Sequence, residues 1–176
     1  TIFTADSYAA LKKVMDESRL LVQSTTSTLE QLTQELEKLD NAKKALINIS
    51  GLKAIVDQSS TYVKDSYTHR SYTAYETSLN EAKQVLKNSA STVEDIEKAQ
   101  SALNAAAASL VKKADFSKLN EKVQEASEVL ESNKDMLEEE SYNNFKKELD
   151  DCSLVLSNDE STQAKVDETL AHLNAY

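Results

Sequence analysis

The sequence predicts an all-α protein built from tandem helical repeats. The chain of 176 residues contains one glycine and no proline, the residues that usually mark sheets and tight turns. Its apolar residues recur at three- and four-residue spacing, which is typical of helices. A serine–tyrosine pair occurs three times, 64 and 70 residues apart, at Ser7-Tyr8, Ser71-Tyr72 and Ser141-Tyr142. Because a long fixed period is typical of repeat proteins, we expect tandem three-helix bundles stacked into an elongated rod.

The three copies stay in register well beyond the serine–tyrosine pair. The aligned sets are Leu11, Tyr75 and Phe145; Met15, Leu79 and Leu149; Ser18, Ala82 and Cys152; Thr28, Thr92 and Thr162; Leu32, Ile96 and Val166; and Leu39, Leu103 and Leu173. This alignment divides the chain into repeats over residues 1–50, 51–114 and 115–176. The first repeat has two helices, because it lacks the leading helix that precedes the serine–tyrosine pair in the others. We therefore expect the chain to begin inside a repeat.

Hydroxyl side chains predict where several helices begin, since they can accept hydrogen bonds from the free amides of a first turn. Two of them have a partner at the spacing of a capping box. The predicted caps are Thr4, Thr28 with Gln31, Thr68, and Ser91 with Glu94.

The junctions between repeats contain few helix breakers. Gly51, at the first junction, could end a helix in a left-handed conformation or lie inside a long helix. We favour the second interpretation, with a nearly continuous helix from about Thr28 into Tyr62. At the second junction, residues 111–115 contain no glycine or proline, so a helix that continues into the third repeat is also expected.

The formal charge of −10 is concentrated in the last third of the chain, where residues 116–176 carry a net charge of −9. This charge argues against nucleic-acid binding and against binding to anionic lipid. The acidic surface is interpreted as solubilising, with an acidic face for a basic partner as the alternative. No apolar run is long enough to insert into a membrane, and a single cysteine allows no internal disulfide.

The motif around the second serine–tyrosine pair resembles the FIVAR repeat, a helical module found in various architectures. The resemblance rests on Tyr67-Thr68-x-x-Ser71-Tyr72, followed by Ala82, Thr92, Ala99, Leu103 and Leu110. The first copy has Phe3-Thr4 in place of Tyr-Thr. The third copy departs further, with Leu137-Glu138 at those positions and Cys152 in place of alanine.

The resemblance implies a three-helix module without enzymatic activity. Its setting would be a large secreted or wall-attached protein of Gram-positive bacteria, many of which are glycoside hydrolases or adhesins. An extracellular location follows from the same resemblance. A sugar- or matrix-binding role is suspected for the family, but no binding residue can be transferred from it.

The residues that could carry chemistry do not form a recognisable site. His69 and His172 lack the spacing of a zinc site, and we expect no metal or other cofactor. Cys152 could pair with a histidine as a nucleophile, but its alignment with Ala82 and Ser18 favours a buried thiol. The acidic runs are interpreted as solvated surface, because consecutive helical residues point in different directions. These runs are Glu138–Glu140, Asp150-Asp151 and Asn158–Glu160, the last a weak calcium candidate.

Three equivalent tyrosines, Tyr8, Tyr72 and Tyr142, are the candidate binding residues. Tyrosine rings can stack on sugars, so a repeated glycan patch is one interpretation. The favoured interpretation is that each ring packs across its leading helix, since Tyr75 and Phe145 continue the same helix face.

The chain as a whole is predicted to be a non-catalytic spacer and interaction module. The alternative is a carbohydrate- or host-matrix-binding adhesin module. Its expected partners are the neighbouring modules of the same polypeptide, with a glycan or the host matrix as a further partner. We expect a monomer.

Overall fold

The computed structural model describes residues 2–175, and this part of the chain is helical apart from turns, junction segments and isolated bridges. The all-α prediction is therefore confirmed. By the predicted repeat boundaries, the first two helices fall in the first repeat, the next three in the second and the last three in the third. The helices are α1 (Ala5–Gln23), α2 (Leu29–Lys44), α3 (Ser50–Asp57), α4 (His69–Lys87), α5 (Val93–Ala108), α6 (Ser117–Ser132), α7 (Glu139–Ser157) and α8 (Gln163–Ala175).

The helices belong to two compact units. The first unit contains Thr1–Tyr62 and Ala74–Ser109. In it, α1 packs against α2 and α3 packs against α5. Its buried apolar side chains come from all three helices of the second repeat, as amphipathic helices require. They include Leu52, Tyr75, Leu79, Ala82, Ile96, Ala99 and Leu103.

The second unit contains Val63–Thr73 and Leu110–Tyr176. Its helix α6 packs on both α7 and α8, which also pack on each other. Four of its core side chains lie at positions of the repeat alignment, namely Leu149, Cys152, Val166 and Leu173. The other four precede the serine–tyrosine pair and are Ala114, Leu119, Ala126 and Leu130.

The expectation of continuous helices across the junctions is wrong. At the first junction α2 ends at Lys44 and α3 begins at Ser50. Gly51 lies in the first turn of α3, and no glycine between residues 2 and 175 has a positive φ. At the second junction α5 ends at Ala108 and α6 begins at Ser117. The helices stop because the backbone at each junction is extended and pairs with a segment that precedes α1 or α4, which outweighs the local helix propensity.

One predicted capping box is confirmed and the other is wrong. Thr28 accepts a hydrogen bond from the Gln31 amide at 3.2 Å, and the Gln31 side chain accepts one from the Thr28 amide at 2.9 Å. The second box is formed by Thr92 and Asp95, one residue later than predicted, with the same two distances. Ser91 is not the cap, because its hydroxyl donates to the Val85 carbonyl at 2.7 Å.

Across residues 2–175, none of the helices has a stretch that is both long and apolar enough to cross a membrane.

Candidate functional site: the repeat junctions and the tyrosine positions

An isolated antiparallel β-bridge closes the first junction. Phe3 lies opposite Asn48. The Thr4 amide donates to the Ile47 carbonyl at 3.0 Å, and the Ile49 amide donates to the Ile2 carbonyl at 2.9 Å. The segment before α1 therefore pairs with the segment between α2 and α3.

The second junction repeats this arrangement. Tyr67 lies opposite Lys112. The Thr68 amide donates to the Val111 carbonyl at 2.8 Å, and the Lys113 amide donates to the Ser66 carbonyl at 3.1 Å. Both bridges satisfy backbone groups that a continuous helix would have used internally.

In the first two serine–tyrosine pairs, the serine holds the adjacent bridge in place. The Ser7 hydroxyl accepts from the Ile47 amide at 3.2 Å and from the Thr4 hydroxyl at 2.8 Å, and it donates to the Thr4 carbonyl at 3.2 Å. One donated and two accepted bonds use the full capacity of a hydroxyl group. We call this hydrogen-bonded group of Thr4, Ser7 and the Ile47 amide the clasp.

The second clasp has the same hydrogen bonds. Ser71 accepts from the Val111 amide at 3.1 Å and from the Thr68 hydroxyl at 3.0 Å. Its own hydrogen is shared between the Thr68 carbonyl at 3.2 Å and the Val111 carbonyl at 3.4 Å. The two clasp threonines, Thr4 and Thr68, are buried. Thr4 precedes α1 as predicted, but its hydroxyl bonds to Ser7 and not to an amide of the first turn.

A second contact recurs at the start of the helix that follows each bridge. The Asp6 amide at the start of α1 donates to the Ser89 carbonyl at 3.3 Å. At the aligned position in α4, the Arg70 amide donates to the Glu160 carboxylate at 2.7 Å. A carboxylate at a helix N-terminus also interacts favourably with the helix dipole. Thus a turn of the following repeat supplies an acceptor to the helix in both cases.

The acidic turn at Asn158–Glu160 is the weak calcium candidate from the sequence. The Asn158 side-chain oxygen accepts from the Glu160 amide at 3.1 Å, and the Glu160 carboxylate is used by Arg70. No cluster of three or more histidine, cysteine or acidic residues suited to a metal occurs in the described part of the chain.

Tyr72 contacts the connection that leads into α4. Its ring stacks on that of Tyr67 with 6.4 Å between the centroids. The Lys64 ammonium group lies 5.8 Å from the centre of the Tyr72 ring, within the range of a cation–π interaction. Tyr72 is half-buried.

Tyr142 occupies an equivalent environment in the third repeat. The Lys134 ammonium group lies 5.5 Å from its ring centre, and its hydroxyl donates to Glu131 at 3.1 Å. Lys64-Asp65 and Lys134-Asp135 each begin eight residues before the tyrosine. This recurring Lys-Asp pair is the sequence signal that could have predicted the lysine contacts with Tyr72 and Tyr142.

Tyr8 is the most exposed of the three candidate tyrosines, with half of its surface accessible. It lies in the first turns of α1, whereas Tyr72 and Tyr142 lie in those of α4 and α7. Each tyrosine therefore belongs to a separate repeat. The glycan-stacking role of Tyr8, Tyr72 and Tyr142 stays a prediction.

The remaining titratable residues of interest lie in the third repeat. Cys152 is fully buried. Its burial, with smaller effects from the carboxylates of Glu148 and Asp151, raises the pKa of the thiol. A raised pKa lowers the thiolate fraction and makes a poor nucleophile. The burial of Cys152 therefore agrees with the buried-thiol interpretation. His172 pairs with a different residue, since it lies 2.6 Å from the Glu148 carboxylate.

Comparison with known proteins gives one family and one curated relative. The FIVAR domain matches residues 3–46, 48–111 and 115–175. The chain is 24% identical over 117 residues to the polysaccharide lyase 8 family protein HylA of Enterococcus faecalis (strain ATCC 700802 / V583). The match covers 62% of this chain and 8% of that protein. None of the solved structures compared matches the chain.

Proposed function

Because this chain belongs to the FIVAR family, we propose that it is a non-catalytic helical spacer and interaction module of a large secreted or cell-surface bacterial protein. The matched relative is named as a polysaccharide lyase family protein, which supports a carbohydrate-active parent. That name also widens our expectation of a glycoside hydrolase to include a lyase. The chain matches 8% of the relative's length, as an accessory module would.

The single observation that carries the spacer function is the recurrence of the junction. At both junctions a bridge and a clasp join the segment before α1 or α4 to the segment that leads into the next repeat, and an amide at the start of that helix donates to a residue of the next repeat. Three sets of hydrogen bonds at each junction restrict the chain far more than a flexible glycine–serine linker would. The stiffness of the chain would thus come from the hydrogen-bonded segments at the two junctions. It would not come from continuous helices, which the sequence had suggested.

Small-angle X-ray scattering of the purified chain tests the spacer function. We expect the pair-distance distribution of an elongated particle. A variant with a flexible Gly-Gly-Ser-Gly segment inserted after Val111 should show a broader distribution, because the insertion separates the Val111 carbonyl from the Lys113 amide. The same insertion after Thr26, in the exposed turn between α1 and α2 and outside the junction contacts, is the control. A compact globular profile for the unmodified chain would contradict the proposal.

A binding module for glycan or host matrix is the second candidate function. The half-exposed ring of Tyr8 favours it, because an accessible aromatic face is what a sugar ring requires. A screen against glycans and matrix proteins would use the unmodified chain, Tyr8→Ala and Tyr72→Ala. Loss of a reproducible signal with unchanged helicity would support binding through the tyrosine. Loss of helicity in Tyr72→Ala would support packing by that ring.

A further inference from the structure

A small cleft lies between α6 and α7 of the third repeat, and we call it the α6–α7 cleft. Its volume is about 210 Å³. Pockets that hold drug-sized ligands measure roughly 300–1,000 Å³, so this cleft has room for a ligand the size of a single ring. The lining side chains are Ser127, Leu130, Glu131, Tyr142, Lys146, Leu149, Asp150 and Ser153.

The apolar part of the α6–α7 cleft belongs to the core of the third repeat. Leu130 and Leu149 are 3% and 7% exposed, so they form the floor. The Tyr142 hydroxyl is bonded to Glu131 at 3.1 Å, and the Lys134 ammonium group lies 5.5 Å from the ring centre. These two contacts hold the ring in one place. The cleft therefore has a preformed apolar surface with an aromatic wall, which suits the carbon-bound hydrogens of a sugar ring.

The neutral polar groups of the cleft are hydrogen-bond acceptors. The Ser127 hydroxyl donates its hydrogen to the Val123 carbonyl at 2.6 Å, and the Ser153 hydroxyl donates its hydrogen to the Leu149 carbonyl at 2.8 Å. The Tyr142 hydroxyl likewise donates to a carboxylate. A hydroxyl whose hydrogen is used can still accept through its lone pairs. These three oxygens are therefore available to groups that donate.

The charged groups of the cleft extend this preference. Glu131 and Asp150 are carboxylates, which only accept hydrogen bonds when ionised. Lys146 is the lining side chain that still has hydrogens to donate, and neither it nor Asp150 has an ion-pair partner between residues 2 and 175. A ligand that fits this cleft must supply several donors and at least one acceptor. Hydroxyl groups supply both, whereas an anionic group would be repelled by the two carboxylates.

This combination of side chains is a feature of the third repeat. In the first repeat Arg19 aligns with Ser153 and pairs at 3.4 Å with Asp16, the residue aligned with Asp150. In the second repeat Lys83 aligns with Ser153. A long cation thus replaces the serine acceptor in both other copies, and we expect the site in the third repeat alone.

We propose that the α6–α7 cleft binds one pyranose unit of a glycan that carries no anionic group. The ring lies over Leu130 and Leu149 beside Tyr142. Its hydroxyl groups donate to the Asp150 carboxylate and to the serine oxygens, and one of its oxygens accepts from Lys146. The proposal rests on the second candidate function above, the binding of a glycan, and assigns that function a site and a class of sugar.

Nuclear magnetic resonance of the isotope-labelled full chain tests the site, because each backbone amide reports on its own surroundings. The probes are maltotetraose and cellotetraose as uncharged sugars, a glucosamine tetramer as a cationic sugar and tetragalacturonic acid as an anionic sugar. We expect saturable shifts of the α6 and α7 amides that border the cleft with at least one of the first three probes. No shift at the cleft with any of these three, or equally tight binding of tetragalacturonic acid, would overturn the proposal.

A pair of neighbouring aspartates on α7 provides the variant and its matched control. Asp150→Asn removes the charge and replaces one acceptor oxygen by a donor, so the dissociation constant should rise about tenfold. Asp151→Asn makes the same change outside the cleft and should stay within about twofold of the unmodified chain. Both aspartates are exposed, so we expect both variants to fold. Equal dissociation constants for the two variants would reject Asp150 as a ligand-binding residue and with it the proposed site.

The position of the shifts separates this proposal from the functions proposed above. Shifts around Tyr8 or Tyr72 without shifts at the cleft would support glycan binding and reject the cleft. The scattering experiment tests the spacer function independently of any sugar. Spermidine is the control for charge alone. If spermidine shifts the cleft amides and the uncharged sugars do not, the cleft binds amines and the proposal is overturned.

Discussion

The hydroxyl oxygen of Ser71 lies 3.1 Å from the backbone nitrogen of Val111 and accepts its hydrogen bond across a separation of forty residues. This bond gives the serine of the second copy a structural role. Ser7 makes the same bond to Ile47 across the same separation. In the second copy, the serine of the pair therefore belongs to the clasp and the tyrosine makes the aromatic contact with Tyr67.

The clasp predicts a measurable loss of stability in Ser71→Ala. The substitution removes the acceptor of the Val111 amide and the partner of the Thr68 hydroxyl, and we expect a loss of about 1–2 kcal/mol. Chemical denaturation followed by circular dichroism would measure it. Ser141→Ala is the matched control, since Ser141 has the same motif position and is exposed. A similar loss in both variants would argue against the clasp.

The Thr92–Asp95 capping box predicts acid sensitivity at the start of α5. Hydrogen bonds from the Thr92 amide and hydroxyl lower the pKa of the Asp95 carboxyl group. Because the folded-state pKa is lowered, ionised Asp95 favours folding above the unfolded pKa. This contribution disappears as the pH falls through the folded-state pKa.

Thermal midpoints at about pH 7 and about pH 2.5 would test this effect. Asp95→Asn should be less stable than the unmodified chain near neutral pH and should lose less on acidification. The control is Glu94→Gln, which changes the neighbouring carboxylate. If the thermal midpoint of Asp95→Asn falls on acidification by as much as that of the unmodified chain, protonation of Asp95 does not contribute to acid sensitivity.

Cys152 is predicted to react slowly with thiol reagents in the native protein. Burial excludes the reagent and raises the pKa of the thiol, so modification requires opening of the third repeat. The rate of disulfide exchange with a chromogenic reagent should rise with denaturant in parallel with unfolding. A cysteine in a short unfolded peptide provides the reference rate. Reaction of the native chain at the peptide's rate would contradict the buried position.

Gly51→Ala is predicted to stabilise the chain. Gly51 lies in the first turn of α3 with a negative φ. Alanine at this position lowers the conformational entropy of the unfolded chain and so raises the free energy of unfolding by about 0.4–1 kcal/mol. The new methyl group would lie 3.1 Å from the end of the Gln100 side chain, which can rotate away. Thermal unfolding would measure the gain, with the double variant Gly51→Ala, Gln100→Ala as control. Destabilisation by Gly51→Ala in both backgrounds would contradict the prediction.

The helices and buried positions could be predicted from the sequence because they depend on local periodicity. The alignment of the three copies places Leu79, Ala82 and Cys152 on the apolar face, and each is buried. The Thr28 box was also predictable, since its partner lies three residues away. Short-range patterns of this kind are visible within one stretch of sequence.

The junctions could not be predicted from local patterns. The bridge between Tyr67 and Lys112 depends on residues far apart in the chain, and nothing in residues 111–115 excludes a helix. The burial of Glu35 was missed for a related reason. A glutamate on a helix surface is normally solvated, and its contact with Ser18 depends on the packing of α1 against α2.

The β-bridges also determine which parts of the chain would carry load under tension. Ser66 and Lys113 are hydrogen-bonded neighbours, and they lie where the chain enters and leaves the segment that contains α4 and α5. While the bridge holds, a pulling force passes between these two residues and bypasses that helix pair. Once the bridge opens, the force reaches α4 and α5 and can unfold them. The junction would thus open before the helix pair unfolds, at a force set by the few hydrogen bonds of the bridge and clasp.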